Sequence, residues 1–476
     1  MHHPDETLRR PPANLLPRHG MLFDWPQSVA LACEVGWGTY APPAWSASLA
    51  QSRLESLVDL ARARSPFHAA RCRHLPADGW TLRDLPVLTR TDLMQSFDDA
   101  LTVRDIERRE VDAFCADAGR VGESFRDQYA VWTSSGTTGM PGVFIHDEHA
   151  LAVYDALEAL RFRGPYFPAP LTLATFATER YAIVCATGGH FASNVTAERL
   201  RRENPLLASQ LRVFSILDPI DRLVAALDAF QPTVLASYPT ALAVLAEEQS
   251  AGRLSIRPHE VWAGGENFTS RQRDLATQAF GGRVRQGYGA SEFLPIAWEC
   301  ARGNLHVNAD WVILEPVDAQ FAPVAPGIAS HTVLLTNLAN HVQPLIRYDL
   351  GDSVTLHDTG CACGCTLPVI TVHGRCDDTL AFRGAGKRVV HLLPLAISTV
   401  LEDDAGLFDF QLVQIDGAHL LLRAGRSETA RAAPAAEVLR AWLHSQGLGR
   451  IDVALDTHPP QPDVPSGKMR RVIAAK

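Results

Sequence analysis

From Tyr129 to about residue 295 the chain alternates short apolar runs with helix-like stretches, and that alternation leaves few folds open. Tyr129-Ala130-Val131-Trp132, Ala182-Ile183-Val184-Cys185, Val234-Leu235-Ala236 and Val261-Trp262-Ala263 are strand-length and rich in aromatic or β-branched residues. Between them, Arg222 to Phe230 and Ala241 to Glu248 carry apolar residues at helical spacing. Strands separated by helices pair in parallel, and a parallel sheet needs cover on both faces. Ligands of such sheets gather beyond the carboxyl ends of the strands.

The first apolar run leads directly into Thr133-Ser134-Ser135-Gly136-Thr137-Thr138-Gly139. Two glycines permit a tight loop and a close approach of amide groups to phosphate oxygens. The hydroxyls of Ser134, Ser135, Thr137 and Thr138 can donate to phosphate or meet a hydrated magnesium. No Gly-Lys-[Ser/Thr] follows, so this is not the nucleotide loop of the common ATPases. A polar linker is the competing reading, but a linker does not ordinarily sit hard against an apolar strand.

At 476 residues the chain should hold two or three domains. The net charge of -9 excludes nucleic acid as a main partner, since no basic surplus exists to release counterions. Arg199, Arg201 and Arg202 form one of the denser basic groups and read as a solvated helix face. The longest semi-apolar stretch, Leu171 to Gly189, is broken by Glu179 and Arg180 and is not a membrane span. The first residues lack the apolar core of a secretory signal, and nine cysteines do not pair off as a secreted disulfide framework. A cytoplasmic location is expected.

Helical spacing also marks residues 43 to 72, broken at Pro66, and Thr89-Arg90-Thr91-Asp92 reads as a helix start. From about 300 to 376 short strands (Val312 to Glu315, Val333 to Thr336, Val369 to Val372) alternate with Pro, Gly and Asp, as in a β-rich subdomain. Beyond 376, Phe410 to Val413 and Leu420 to Leu422 flank the turn signal Asp416-Gly417. A helix over about 434 to 446 and a strand at Ile451 to Leu455 follow. The expected fold is α/β. A large N-terminal domain (1–376) has mostly parallel sheets covered by helices and includes the β-rich subdomain (300–376). A small, mobile α+β domain (377–476) follows.

Several further clusters make joint sense with ATP as ligand. Val261-Trp262-Ala263 ends in Gly264-Gly265-Glu266, and Gly287-Tyr288-Gly289-Ala290-Ser291-Glu292 repeats the strand-then-glycine pattern. Tyr288 can stack on a purine, and Glu292 offers magnesium a carboxylate. Arg347-Tyr348-Asp349-Leu350-Gly351-Asp352 presents a carboxylate suited to a ribose diol, with Arg375 as a partner. Pro465-Ser466-Gly467-Lys468 places a lysine on a glycine-bearing turn.

In order and spacing these clusters resemble the AMP-forming adenylating superfamily of acyl-CoA synthetases, luciferases and adenylation domains. The phenylacetate-CoA ligase and coenzyme F390 synthetase branch is the nearest match. It is suggested by Ser135 to Pro141, Pro344-Leu345-Ile346-Arg347-Tyr348, Gly374-Arg375-Cys376-Asp377-Asp378, Cys361-Ala362-Cys363-Gly364, and Ser65-Pro66-Phe67-His68 with Leu85 to Thr89. The resemblance implies that the loop, Ser134 to Gly139, holds the β- and γ-phosphates, with Thr138 in the catalytic set. Gly264, Gly265 and Glu266 would line the adenine site. Tyr288 with Gly289 and Ser291 would border the base, Glu292 would ligate Mg2+, and Asp352 with Arg375 would hold the ribose. Asp377 would be the hinge of the C-terminal domain, and Lys468 the lysine that bridges the attacking carboxylate and the α-phosphate. Two departures stand out. Gly142 follows Pro141 where many superfamily members carry lysine, as the nearest branch also tends not to, and Tyr-Arg-x-Gly-Asp becomes Tyr348-Asp349-Leu350-Gly351-Asp352.

Cys361-Ala362-Cys363-Gly364-Cys365 is dense enough to suggest structural zinc, as a tetrahedral Cys3His set of Cys300, His306, Cys361 and Cys363. Cys365, His373 and Cys376 are open alternatives, and reduced thiols are the competing reading. His190, Phe191 and Tyr238, with Gly289 at the floor, are the expected wall of the acid pocket. The expected activity is adenylation of a carboxylic acid, aromatic by analogy, then transfer to CoA. The acceptor could instead be a carrier-protein thiol or an amine, and a non-catalytic nucleotide-binding homologue is a third reading. A homodimer is kept open as the assembly.

Overall fold

The computed structural model describes residues 25–76, 79–134, 142–163, 178–358, 360–373, 379–383, 389–461 and 470–475. Among these residues the alternating segment builds the expected parallel array. Strands β3 (Tyr181–Cys185), β4 (Leu211–Ser215), β5 (Val234–Ser237), β6 (Glu260–Ala263) and β7 (Arg283–Ala290) pair in parallel in the order β7-β6-β5-β3-β4. The helices Ala192–Glu203, Ile220–Phe230, Pro239–Ser250 and Ser270–Phe280 connect them. Leu223, Val224 and Leu227 of the second helix and Ala241, Leu242 and Leu245 of the third pack on Val184, Leu235 and Val261, which closes one core. Gly281, left-handed at φ 67°, ends the last helix, whose start carries the Thr269–Gln272 capping box.

The sheet then turns antiparallel through β8 (Phe293–Glu299), β9 (Leu305–Val307), β14 (Val369–Val372) and β13 (Val354–His357). Beside it lies a ladder of β10 (Val312–Val317), β11 (Thr332–Asn337) and β12 (Tyr348–Asp349). The strand run that precedes the phosphate-loop motif departs from expectation. β1 (Ala130–Ser134) pairs with β2 (Gly142–His146) as an antiparallel ribbon outside the parallel array, with a single parallel bridge from Thr133 to Phe191. Its apolar residues Val131, Trp132, Phe144 and Ile145 are fully buried in the largest core, against Tyr154, Phe293 and Leu335.

Beyond 376, β15 (Leu380–Arg383) pairs with β16 (Val389–Leu392). A four-stranded sheet of β17 (Phe410–Gln414), β18 (His419–Ala424), β19 (Asp452–Asp456) and β20 (Val472–Ile473) surrounds its own core with the helix Thr429–Ser445. That helix starts a turn earlier than its periodicity suggests, with Pro434 inside it.

One reading needs correction. Arg199 is not on a solvated face: it is 6% exposed and bonds Asp155 at 2.6 Å and Glu203 at 2.8 Å, because the helix packs that side inward. No helix among the described residues is long and apolar enough to cross a membrane.

Candidate functional site at the strand ends

Four glycine-bearing or aromatic segments emerge from the carboxyl ends of β3, β5, β6 and β7, where the pattern anticipated a ligand. After β6, Gly264 donates its N–H to Ser237 O (3.2 Å), and Gly265 adopts φ 79° over the ring of Tyr238. A Cβ on Gly265 would lie 3.0 Å from that ring, so both space and backbone favour glycine. Glu266 turns back, and its carboxylate accepts from Thr240 N (3.0 Å) and Oγ1 (2.7 Å) at the start of the preceding helix, Pro239–Ser250.

After β7, a Cβ on Gly289 would lie 1.9 Å from Leu294 O across the β7–β8 turn. The turn therefore closes only with glycine, and it presents Ser291 and Glu292. Ser291 O accepts from Trp132 Nε1 (2.6 Å) and from His146 Nε2 (3.1 Å), whose rings stack at 4.1 Å. Glu292 O accepts from Asn337 Nδ2 (2.9 Å). β1 is held from its other side by Thr133 N donating to His190 O at 2.7 Å. The base of the phosphate-loop motif, at Ser134, is thus pinned to the turn that carries Glu292. Ser135, Gly136, Thr137, Thr138 and Gly139 lie outside the described residues, as do Arg375, Asp377 and Lys468.

The Glu292 carboxylate is 5% exposed and faces Arg90 Nη2 at 3.7 Å. Burial pushes the Glu292 carboxyl up, Arg90 and a hydrogen bond from Tyr348 act against that, and Asp352 adds a smaller upward push. Arg90 Nε also donates to Tyr348 Oη (3.2 Å), and the Tyr348 ring meets Phe144 edge-on at 6.1 Å. Tyr288 Oη donates to Asp352 Oδ2 at 3.0 Å, which brings the purine and ribose candidates together from 64 positions apart. Arg90 was read from sequence only as part of a helix start. Nothing in its neighbourhood along the chain links it to position 292.

The pocket residues are differently placed. His190 is 1% exposed, with Nδ1 3.1 Å from Cys115 O and its ring 5.0 Å from Phe114. Phe191 precedes the helix Ala192–Glu203 and bridges to Thr133. Tyr238 is buried, and its hydroxyl accepts from Ala186 N at 3.4 Å.

Some 60 positions apart in sequence, the antiparallel half of the sheet assembles the cysteine motif. One ligand atom from each of Cys300, His306, Cys361 and Cys363 lies within 4.8 Å of the others. Cys300 and Cys361 Sγ are 3.7 Å apart, and Cys363 Sγ is 3.4 Å from His306 Nε2. Tetrahedral zinc with its usual sulfur bonds spaces two thiolates by about 3.8 Å. His306 Nδ1 lies 2.8 Å from Leu367 O, a carbonyl that can only accept. The proton therefore sits on Nδ1, and Nε2 turns its lone pair to the sulfurs, as in metal-binding histidines. Asn304, Arg302 N and Cys365 N donate to Cys361, Cys300 and Cys363 sulfurs. Burial would raise the Cys361 thiol, but hydrogen bonds from the Asn304 amide and the Cys363 backbone pull it down. Of the alternatives, His373 Nε2 instead faces Thr355 Oγ1 at 2.8 Å, and Cys376 lies outside the described residues.

The fold is shared with a CoA ligase of known structure. The chain is similar to 2-hydroxyisobutyryl-CoA ligase solved with 2-HIB-AMP and CoA in its thioesterification state. That likeness has a TM-score of 0.56 and 21% identity over 92% of this chain and 91% of that one. It matches the same ligase in its postadenylation state with 2-HIB-AMP at a TM-score of 0.54 and 20% identity, covering 92% of each chain. By sequence it is 29% identical over 134 residues to Protein CapK of Staphylococcus aureus, a stretch covering 28% of each protein. No protein-family model matches the chain.

Proposed function

We propose that the protein activates a carboxylic acid with ATP and passes the acyl group to a thiol, most simply that of CoA. The observation that carries this reading is the grouping of Ser134, Glu292, Tyr288 with Asp352, and Gly264-Gly265 around the carboxyl ends of β6 and β7, in a fold shared with a ligase solved with an acyl-AMP and CoA. In the first half-reaction a carboxylate oxygen attacks the α-phosphorus, the α–β phosphoanhydride bond breaks, and pyrophosphate leaves. In the second, a thiolate attacks the acyl carbonyl and AMP departs.

Two anions meet in the first step, so catalysis is positioning plus positive charge rather than acid–base work. In this reading Ser134 to Gly139, with Thr138, hold the β- and γ-phosphates, and Gly264 to Glu266 border adenine. Tyr288 stacks on adenine while its hydroxyl orients Asp352, which with Arg375 takes the ribose diol. Glu292 and Ser291 stand on the phosphate side, Glu292 as the Mg2+ ligand. Magnesium supplies charge neutralisation there when bound. Lys468 approaches from a C-terminal domain (377–476) that turns about Asp377 relative to residues 1–376. The acid is placed against Tyr238, Gly289 and the segment His190-Phe191. An aromatic acid, the phenylacetate-CoA ligase-like branch, a homodimer and a cytoplasmic location belong to this proposal.

The cluster Cys300, His306, Cys361 and Cys363 fits structural zinc. Four protein donors leave no position for substrate, so zinc there would tie β9 to the loop before β14.

The test is an acid-dependent pyrophosphate exchange screen over aryl, fatty and amino acids, followed by CoA consumption. Exchange with thioester formation supports the reading. Exchange without CoA consumption moves the acceptor to a carrier-protein thiol or an amine. Lys468→Ala should lower exchange by about a thousandfold while ATP binding stays. Exchange surviving that substitution would remove Lys468 from the mechanism.

A further inference from the structure

We propose that Cys300 and Cys361 form a thiol-oxidation site, at which a hydroperoxide converts the pair to a disulfide and the cluster gives up its metal. The disulfide rests on the geometry of the two sulfurs. The loss of metal rests in addition on the zinc reading above.

Position singles out this pair. Their Sγ atoms lie 3.7 Å apart, and a disulfide needs about 2.05 Å, so a small movement of either segment joins them. Both cysteines sit on turns, where such a movement disturbs no strand ladder. Cys300 follows β8 and opens the turn to β9, held by Gly303 N donating to Cys300 O and Cys300 N donating to Asn304 O, each at 2.9 Å. Cys361 opens a second turn, closed by Gly364 at φ 86° with its N–H donating to Cys361 O at 3.2 Å.

The neighbouring cysteines are differently engaged. Cys363 Sγ faces His306 Nε2 at 3.4 Å, and a bond from it to Cys361 would close a cramped ring across Ala362 alone. Cys365 is buried and contributes its backbone N–H to Cys363, with its sulfur outside the four-atom cluster.

The chemistry follows from exposure. Cys361 is half-buried and Cys300 only 4% exposed, so an oxidant in solution meets Cys361 first and Cys300 stands behind it. The Cys361 thiolate attacks the hydroxyl oxygen of the hydroperoxide. The O–O bond breaks, the other oxygen leaves as hydroxide or alkoxide and takes up a proton, and Cys361 is left as a sulfenic acid. The Cys300 thiolate then attacks the Cys361 sulfur, an S–S bond forms, the S–O bond breaks, and hydroxide leaves to become water. The sulfur pair is oxidised by two electrons and the peroxide oxygens are reduced by two. Asn304 Nδ2 donates to the Cys361 sulfur at 3.2 Å and Arg302 N to the Cys300 sulfur at 3.4 Å, so charge on either is stabilised where the exchange happens. Of the four donors, Cys363 and His306 then remain, and two ligands do not keep a closed tetrahedral site. A dithiol reductant reverses the step by thiol–disulfide exchange.

The experiment exposes the full-length protein, purified under reducing conditions, to hydrogen peroxide. Released zinc is read with a chromogenic chelator, and disulfides are mapped by mass spectrometry after thiol capping. The expected result is a Cys300–Cys361 disulfide that rises in step with released zinc, to about one of each per chain, and that dithiothreitol with added zinc reverses. Zinc released without that disulfide, or a disulfide from either cysteine to any other, would overturn the assignment. So would a cluster that keeps its thiols and zinc at a peroxide dose that fully oxidises the exposed Cys33. Protein that carries no zinc yet forms the Cys300–Cys361 disulfide removes the zinc reading and the release of metal, and leaves the oxidation site standing.

Discussion

Gly289 shows how much a single residue can decide. Its missing side chain lets the β7–β8 turn close on Leu294 O, and that turn aims Glu292 at Arg90 and Ser291 at Trp132. Gly289→Ala should cost at least about 3 kcal/mol, because the obstacle is backbone and the strands must separate. Gly36, on the exposed side of the helix Trp25–Gly38 with nothing near its Cβ direction, is the control. Gly36→Ala should stabilise by about 0.5–1 kcal/mol. Urea midpoints of the two variants check both, and a neutral Gly289→Ala would refute the steric account. The sequence pointed to Gly289 as part of a motif. It could not show that Leu294 O occupies the space, since that contact exists only once β7 and β8 pair.

At the scale of elements, the cysteine motif was legible as a metal pattern because its spacing is short, but any of its four ligands could have been replaced by Cys365, His373 or Cys376. β9 and β14 settle the geometry: pairing Val369 with His306 sets the Cys361–Cys365 segment against Cys300. The purified protein should carry about one zinc per chain, and Cys363→Ser should lose it. Cys365→Ser should keep it, since Cys365 contributes a backbone N–H to Cys363 rather than a place in the four-atom cluster. Metal analysis with thiol titration decides. Near-zero zinc with every cysteine reactive would eliminate the site. The ribbon of β1 and β2 was not legible as such. Its apolar run satisfies a central parallel strand equally well, and only Gly142 and the His146 partnership with Ala130 show the antiparallel return.

Two buried histidines give the whole molecule a pH dependence. His146 is fully buried and His68 is 2% exposed; burial takes them down to about 3 and about 4, against weaker pulls upward from Ser291 O and Pro344 O, with Arg71 adding to the fall at His68. Both are neutral in the native state and titrate near 6.5 when unfolded, so the unfolded chain binds more protons below that pH. Stability is therefore full above about pH 6.5, falls as pH drops, and stops falling through this route near pH 3–4. Each histidine contributes up to about 1.4 kcal/mol per pH unit within the window. His68→Gln, whose amide can still donate to Pro344 O, should reduce the slope between pH 6 and 4.5 by about one proton. Denaturant titrations across that range measure it, and an unchanged slope would sink the assignment.

What the sequence determined by itself is whatever depends on neighbours along the chain. The strand–helix alternation, the hairpin at Asp416-Gly417, the helix start at Thr89 and the glycines after β6 and β7 are local properties, and they appeared where periodicity and turn chemistry put them. The tertiary structure alone decided what depends on distant partners. Arg90 meets Glu292, Tyr288 meets Asp352, and the fully buried Arg161 closes on Asp310, pairs separated by 202, 64 and 149 positions. Charge pairs of this kind leave no periodic trace, because their energy arises only when folding removes both groups from water and brings them together.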